Sequence, residues 1–591
     1  MLASFRFVRE EFGLERLGRQ PPLPVPVRVW SEGPGEETRI DLVASFESVP
    51  PEERENAVEQ LRERGFRGER LYQWTLSGSA AIGDLDFLLG TPGAAFVETA
   101  PVVRPNLDRS VPEAFNAGPS RAGVTQRGTG VIVGIIDTGI DLSHPSFRKA
   151  TGRTRVVSYW EQSPRSQGKT PQFRRSGGEW VAPEIDPILR KGTIPAGWVD
   201  PMRHGTAVAG VAAGNGQGDP PGRYLGIAPD AELVVVALDA LSDSFASTDN
   251  VVEAAGYIFE YAEKRGKRAV VNLSHGIQIG PHQPDGELER ILTGMLAEDE
   301  RRILVVSAGN TGDADAHARI AAGSPPFQEL AIEVPPNVGA TIVVDLWHQA
   351  DDLLELEIIP PDQGGVPTPM LGGLKRVERG RAGEDMYEVG RTPNARGVRA
   401  GQLQVKLFAP GFVGNIAAGT WIFRLHVNGT KGGGVVDAWL DRPLGPFAAR
   451  FAPPHLDPDH TVTSPAGADQ ALAVGSYSIS PLGTVSPSSA RGPDRLDVPI
   501  DLIAAPGEPI STAAAGGSHA HSFDVGRGTS LAAAHVTGAI ALMLETNQGC
   551  TRAEVARCLR ATARTDQYTN AGPATAWGAG KLDIAAALAS I

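Results

Sequence analysis

An α/β fold, with a parallel sheet covered by helices on both faces, is predicted by three observations. The runs GVIVGIID (130–137), AELVVVALD (231–239), RAVVNLSHG (268–276) and RRILVVSAGN (301–310) are almost continuously apolar. That texture belongs to strands buried on both faces. Helical segments alternate with them, as in TDNVVEAAGYIFEYAEKRG (248–266) and the stretch 204–214, and such alternation builds an open α/β sheet. Between 321 and 460 the helical period disappears, so this fold is expected to carry an inserted all-β sandwich. A small α+β module precedes it.

Taken in order, the chain begins MLASFRFVREEFGLERLGRQ and then turns Pro-rich in PPLPVPV (21–27). Arg6, Arg9, Glu10 and Glu11 stand where a secretory signal needs its apolar segment, so no ordinary signal is expected. No run of about 18 apolar residues suggests a membrane span. DLVASFESV (41–49) reads as a strand. PPEERENAVEQLRERG (50–65) reads as a helix, with Pro50 and Pro51 at its start, Ala57, Val58 and Leu61 on one face and Gly65 at its end. RLYQWTLSG (70–78) reads as a second strand, and 83–98 as a further helix and strand.

The parallel-sheet pattern runs from Thr129 to about 320. LAIEV, ATIVVDLW, DLLELEII, QLQVKLF, GTWIFRLHV and GVVDAWL then supply short strands with turn residues between them, as in an antiparallel sandwich. With ALAVGSYS (471–478) and LIAAPG (502–507) the α/β texture returns. The expected divisions are an extension and linker over 1–26, the module over 27–107, the α/β domain over 108–320 and 461–591, and the insertion over 321–460.

Charge and cysteine usage bound the function classes. With 55 basic against 69 acidic residues, the net charge of −14 argues against nucleic-acid or anionic-membrane partners. Cys550 and Cys558 are eight residues apart in a helical pattern, a rise of about 12 Å that is too long for a disulfide. A reduced, cytoplasmic location is the expectation, with export by a non-standard route as the alternative.

Four residues carry the chemistry. Asp137 closes an apolar strand in VIVGIIDTGID. His204 opens a run of very small residues in RHGTAVAGVAAG. Asn310 ends SAGN, and Ser530 lies in GRGTSLAAAHVTG (526–538), between a glycine turn and a helix. Alone, each reads as a turn or cap residue. Together they form the set that amide hydrolysis by serine requires. Ser530 attacks, His204 moves the proton, Asp137 orients the imidazole, and Asn310 with the Ser530 backbone N–H holds the oxyanion.

The motifs DTGID (137–141), HGTAVAG (204–210), GIAPDAELVVVAL (226–238), NLSHG (272–276), SAGN (307–310), AAPG (504–507), GTSLAAAHVTG (528–538) and WGAGKLD (577–583) resemble, in order, those of subtilases, the subtilisin-like serine proteases. The resemblance implies a subtilisin-like fold and a serine endopeptidase acting on protein or peptide substrates. It also implies substrate binding along Leu273, Ser274, His275 and Gly276, with Ala308 and Gly309 opposite. Departures are Ala534 for a usual proline, Ala207 for a common histidine, Leu531 for a usual methionine and His275 for a common leucine. A rival reading is a non-catalytic subtilase fold that grips peptides or a partner.

Residues 27–107 resemble the family's inhibitory prodomain. FVETAPVVRPNL followed by DRSVPEAF resembles the junction to the mature enzyme, implying autoprocessing at Leu107–Asp108 and a prodomain that inhibits its own chain. The 321–460 block is similar to the jelly-roll insertion of spore-germination subtilases. No cofactor is expected. Calcium is common in the family, but Asp313 and Asp315 make no complete loop. His519 and His521 lack a third metal ligand.

Overall fold

The structure, a computed structural model, describes residues 107–591 apart from 117–120, 122, 173, 175, 193, 196–197, 219–223, 240–246, 322–326, 350–351, 362–364, 374–376, 393–399, 430–433, 442–447, 481–482 and 517–522. Before residue 107 it describes 29–30, 39–45, 52, 54–63, 66–72, 75–81 and 96–99. The chain divides into two compact units, Met1–Arg104 and Pro105–Ile591.

The first unit is a five-stranded antiparallel sheet with one helix described, Arg54–Glu63. Strand Arg39–Ser45 pairs with Thr75–Ala81 on one side, and with Val29–Trp30 and Phe96–Thr99 on the other. Val58 and Leu61 are buried, as their helical spacing requires. The stretch expected as one strand, 70–78, is instead shared by two, Arg67–Tyr72 and Thr75–Ala81, with Tyr72 opposite Thr75. Its near-alternation of apolar residues continues across the reversal, so periodicity alone misses the hairpin. The helix expected after residue 83 lies outside the described residues.

In the second unit an eight-stranded sheet is built from β1 (Val131–Asp137), β2 (Val156–Glu161), β3 (Gly178–Val181), β4 (Glu232–Ala237), β5 (Arg268–Leu273), β6 (Ile303–Ser307), β7 (Leu472–Ser478) and β8 (Leu502–Glu508). The order is β8-β7-β6-β5-β1-β4-β2-β3. Every neighbouring pair is parallel except the edge pair β2–β3. β1, β5 and β6 are buried at every position, which is why their sequences are continuously apolar rather than alternating.

Helices cover both faces. On one side α1 (Leu107–Ala114), α2 (His204–Ala213) and α5 (Thr529–Thr546) pack into one core, and on the other α3 (Thr248–Glu263) and α4 (Glu287–Ala297) pack into a second. From Thr529 to Leu544 every residue of α5 is buried. Its first half is mostly small, with Ala532, Ala533 and Ala534 together, while larger buried side chains such as Ile540, Leu542 and Met543 fill the second half. At Gly538 a Cβ would collide with Ile227.

The chain passes from β4 across β1 to form β5, so strand order reverses at β1. In open α/β sheets that is where sites form, at the carboxyl ends. Asp137, the 274–276 segment and residues 308–310 follow three neighbouring strands at that edge.

The insertion is a two-layer sandwich. One sheet has six strands, from His317–Ala321 at one edge to Val377–Ala382 at the other, and the second has four. Leu346, Val405, Phe423 and Trp421 are among the residues packed between them. Each of the six expected strands is present. The sandwich starts earlier than expected, at His317, and gains the hairpin Val377–Ala382/Asp385–Thr392, whose charged outward positions hide its alternation. Among the described residues no helix is long and apolar enough to cross a membrane.

Candidate active site

Asp137 is wholly buried at the end of β1, and His204 is the first residue of α2. Their side chains meet at 2.7 Å, Asp137 Oδ1 to His204 Nδ1. The approach depends on Gly205, where a Cβ would run into the Gly139 carbonyl and lie 2.9 Å from Asp137 Cβ. Facing an ionised carboxylate, Nδ1 carries the proton and donates it. Nε2 is then the free base.

A second carboxylate sets this geometry. Asp200 is buried and accepts from the Thr138 hydroxyl at 2.6 Å, and from the Thr206 N–H and hydroxyl at 2.8 and 2.7 Å. It thereby fastens the residue after Asp137 to the first turn of α2, satisfying an N–H that has no partner within the helix. Arg203, just before the histidine, sits at φ 63, a left-handed conformation unusual for a side chain of its size. Sequence reasoning misses Asp200. The available signal is an acid four residues ahead of a histidine with Thr two residues beyond it.

His275 adds a second imidazole. Its Nε2 lies 3.2 Å from Asp137 Oδ1, and the two histidine rings are 5.1 Å apart between centroids. Burial works to raise the Asp137 pKa, but the imidazoles of His204 and His275 beside it prevail and hold the carboxyl well below the usual range. For His204, burial pushes the pKa down, the Asp137 charge and hydrogen bond push it up, and the net shift is upward.

Ser530 is the second residue of α5, after Gly528 at φ 129. Its hydroxyl donates to the Ser274 carbonyl at 3.2 Å, and the Ser274 hydroxyl donates to the Ser530 carbonyl at 3.3 Å. Ser530 thus rests against the residue beside His275. Its backbone N–H lies in the first helical turn, where no intrahelical acceptor exists. Asn310 accepts from the Thr529 N–H at 2.9 Å and the Thr529 hydroxyl at 3.1 Å through Oδ1, leaving its Nδ2 as the donor. Both oxyanion donors expected from sequence are therefore at the start of α5.

The expected substrate-binding residues fall at the ends of two adjacent strands. Leu273 ends β5 and is buried, with Ser274, His275 and Gly276 following, while Ala308 and Gly309 follow β6. A cavity of about 210 Å³ is lined by His204 together with Met202, Ala207, Val525, Arg527 and Leu531. Two of the departures from the subtilase motifs, Ala207 and Leu531, shape it.

In sequence VVRPNL, with Pro101 and Pro105, reads as an extended tail reaching Leu107, and at Leu107 the structure differs. That residue opens α1, and Ser110, Val111 and Ala114 are buried against the sheet domain. Residues 101–106 lie outside the described residues, as do His519 and His521. Among the described residues two groups of three ligand-type side chains converge, Asp137/His204/His275 and His317/Asp457/His460. Asp313 and Asp315 belong to neither. Both groups contain imidazoles, which a calcium ion, preferring oxygen, does not favour.

Comparison with known proteins gives three findings. The Subtilase family pattern matches residues 128–345 and 450–580, more than half of the chain. The subtilisin-like protease PopC of Myxococcus xanthus is 28% identical over 196 residues, 32% of this chain and 34% of PopC. The minor extracellular protease Vpr of Bacillus subtilis is 30% identical over 210 residues, 36% of this chain and 21% of Vpr. The chain thus spans about a third or less of these curated relatives. The solved structure of the Clostridium perfringens CspB protease superimposes with a TM-score of 0.67 at 23% identity, covering 81% of this chain and 95% of that one. Its likeness concerns the fold.

One expectation is overturned. Vpr is extracellular by name, which conflicts with the cytoplasmic location expected from the sequence. The cysteine argument fails for a physical reason. Cys550 and Cys558 are free but buried, so they are shielded from an oxidising medium and report nothing about compartment.

Proposed function

The chain belongs to the subtilase family, and from that premise we propose that it is a serine endopeptidase that cuts peptide bonds through an acyl-enzyme on Ser530. The observation that carries the proposal is the 2.7 Å pair of Asp137 and His204 beside a serine and an asparagine gathered at one helix start. In the reaction the Ser530 hydroxyl leaves the Ser274 carbonyl and donates to His204 Nε2. Nε2 takes its proton as Oγ attacks the scissile carbonyl, and Asp137 stabilises the resulting imidazolium. Asn310 Nδ2 and the Ser530 N–H receive the oxyanion. His204 then returns the proton to the departing amine. Water repeats the cycle on the ester. These roles follow the known pattern of subtilisin, in which aspartate, histidine and serine occur in the same chain order and an asparagine side chain helps to bind the oxyanion.

The substrate is read as an extended peptide added as a strand along 273–276, with Ala308 and Gly309 facing it. Its leaving-group side enters the cavity bounded by Ala207 and Leu531. Residues 27–107 act as an inhibitory prodomain of this zymogen, 108–320 with 461–591 as the catalytic domain, and 321–460 as an accessory insertion. Processing falls within two or three residues of Leu107–Asp108. Since Leu107 opens α1, the first turn of that helix must unwind for the bond to enter the cleft. No cofactor takes part, and calcium would serve stability alone.

A fluorophosphonate probe tests the central claim. Wild type should be labelled at Ser530. Ser530→Ala should lose the label and fall by roughly 10⁴–10⁶ in kcat, as deletion of a serine nucleophile does. Undiminished turnover in the alanine variant would refute the assignment.

A further inference from the structure

We infer that Asp137, His204 and His275 form a zinc site through which divalent zinc reversibly shuts off the enzyme. The inference rests on the peptidase reading for its consequence, but its geometry stands independently. Asp137 Oδ1 lies 2.7 Å from His204 Nδ1 and 3.2 Å from His275 Nε2, and all three ligand atoms fall within 4.8 Å of one another. Two imidazoles and one carboxylate, with an open fourth position for water, are a ligand set zinc accepts. Bonds of about 2.0–2.1 Å in a tetrahedral site place ligand atoms roughly 3.3 Å apart. The Asp137–His275 pair already meets that spacing. The Asp137–His204 pair has to open by about 0.6 Å to do so.

Two further observations point to a cation. The second carboxylate oxygen, Asp137 Oδ2, is buried and has no hydrogen-bond partner, although the residue is wholly enclosed. The site is also reachable, because the His204 side chain is 35% exposed and that of His275 15%. A leucine at 275, common among subtilases, offers no ligand. This chain's histidine completes the set.

Inhibition follows from the tautomer. In the metal-free site the His204 proton is on Nδ1, donated to Asp137, and Nε2 is free to act as base. When zinc takes the Nδ1 lone pair, the neutral ring keeps one proton, and it moves to Nε2. Nε2 can then no longer accept the proton of Ser530. His275 ligates through Nε2 and carries its own proton on Nδ1. No covalent bond to substrate is involved, and removing the metal restores the original tautomer.

The test uses the full chain carrying Ser530→Ala, which cannot digest itself, titrated with Co²⁺ and then with Zn²⁺. One cobalt ion should bind with the visible bands of a low-coordinate nitrogen and oxygen site, and zinc should displace it. Adding His275→Leu, or His275→Gln should the leucine variant not fold, should weaken that binding by about tenfold or more, since even losing a group behind a ligand costs 10–100-fold. His460→Gln, which breaks the other convergent group, should leave the bands in place. In the chain with Ser530 intact, zinc should slow fluorophosphonate labelling relative to each variant's own zinc-free rate. About ten times more zinc or greater should be needed without His275. Equal zinc sensitivity with and without His275 overturns the inference, as do bands that follow His460 and not His275. If bands follow His275 while zinc-free enzyme takes up no phosphonate, the metal site stands and the peptidase reading fails.

Discussion

At the residue scale, two of the proposed catalytic groups, His204 and Ser530, are legible because each is tied to a backbone constraint that leaves a sequence trace. Gly205 follows His204 because no Cβ fits against the Gly139 carbonyl, and Gly528 precedes Ser530's helix because φ there is 129. Asp200, which accepts from two threonines, has no such glycine beside it, and its one trace is the spacing to His204 and Thr206. Its effect is open to measurement. Asp200→Ala leaves the Thr206 N–H and two hydroxyls without their acceptor, at a cost of roughly 2 kcal/mol or more. A lower Tm should therefore accompany slower phosphonate labelling of Ser530 in the fraction that remains folded. Because Asp200 touches neither serine nor substrate, KM for a short peptide should move less than kcat. An unchanged labelling rate in the folded variant would show that Asp200 serves stability alone.

At the element scale, helices and strands differ in how much they reveal. The parallel strands are plain from their unbroken apolar runs, and α5 from its small residues. The hairpin at 377–392 is not, because its first strand puts Glu378, Gly380 and Ala382 on one face and Val377, Arg379 and Arg381 on the other, so neither face is clearly apolar. The tail VVRPNL looks extended in sequence because Pro101 and Pro105 disfavour helix at the residues before them, and that reading runs into Leu107, the first residue of α1. What fixes it is tertiary. Ser110 is buried and bonded at 3.0 Å to Nε2 of the enclosed His535, whose Nδ1 meets the Leu531 carbonyl at 2.8 Å. A carbonyl only accepts, so Nδ1 carries the proton and Nε2 accepts from Ser110. Burial lowers the His535 pKa to about 4, against an ordinary value near 6.5. A depressed imidazole means the unfolded chain binds the proton first. Stability is thus complete above about pH 6.5 and is lost as pH falls from there toward 4, by up to about 3 kcal/mol. His535→Leu should flatten that part of the Tm-against-pH curve. If wild type and variant lose stability in parallel between pH 6.5 and 4, this histidine is not the group responsible.

At the scale of the whole molecule, the sandwich has to be seated on the α/β domain. Its boundary is blurred in sequence because His317, the first strand's opening residue, lies only seven residues past Asn310, with no linker composition between. Contacts mark the seam instead. Trp439 of the sandwich is stacked between His282 at 4.0 Å and His317 at 4.7 Å. Beside it His460 places Nδ1 2.8 Å from Asp457 and Nε2 2.9 Å from Asp497. Both ring nitrogens face carboxylates, which only accept, so the favoured state is imidazolium. Burial pulls the His460 pKa down, yet the two carboxylates raise it overall. A raised pKa contributes stability fully below the unfolded value near 6.5 and loses it as pH climbs through the higher folded value. The seam should therefore loosen on the alkaline side, opposite in direction to the helix joint at His535. The expected result is that His460→Gln lowers the Tm at pH 6 and makes little difference at pH 9. It should also increase amide exchange in 317–321 and 435–441 at the lower pH. Cleavage of a short peptide should be nearly unaffected, because none of these residues lies among Asp137, His204, Asn310 and Ser530. Should the variant lose as much stability at pH 9 as at pH 6, packing against Trp439, and not the charge on His460, holds the sandwich in place.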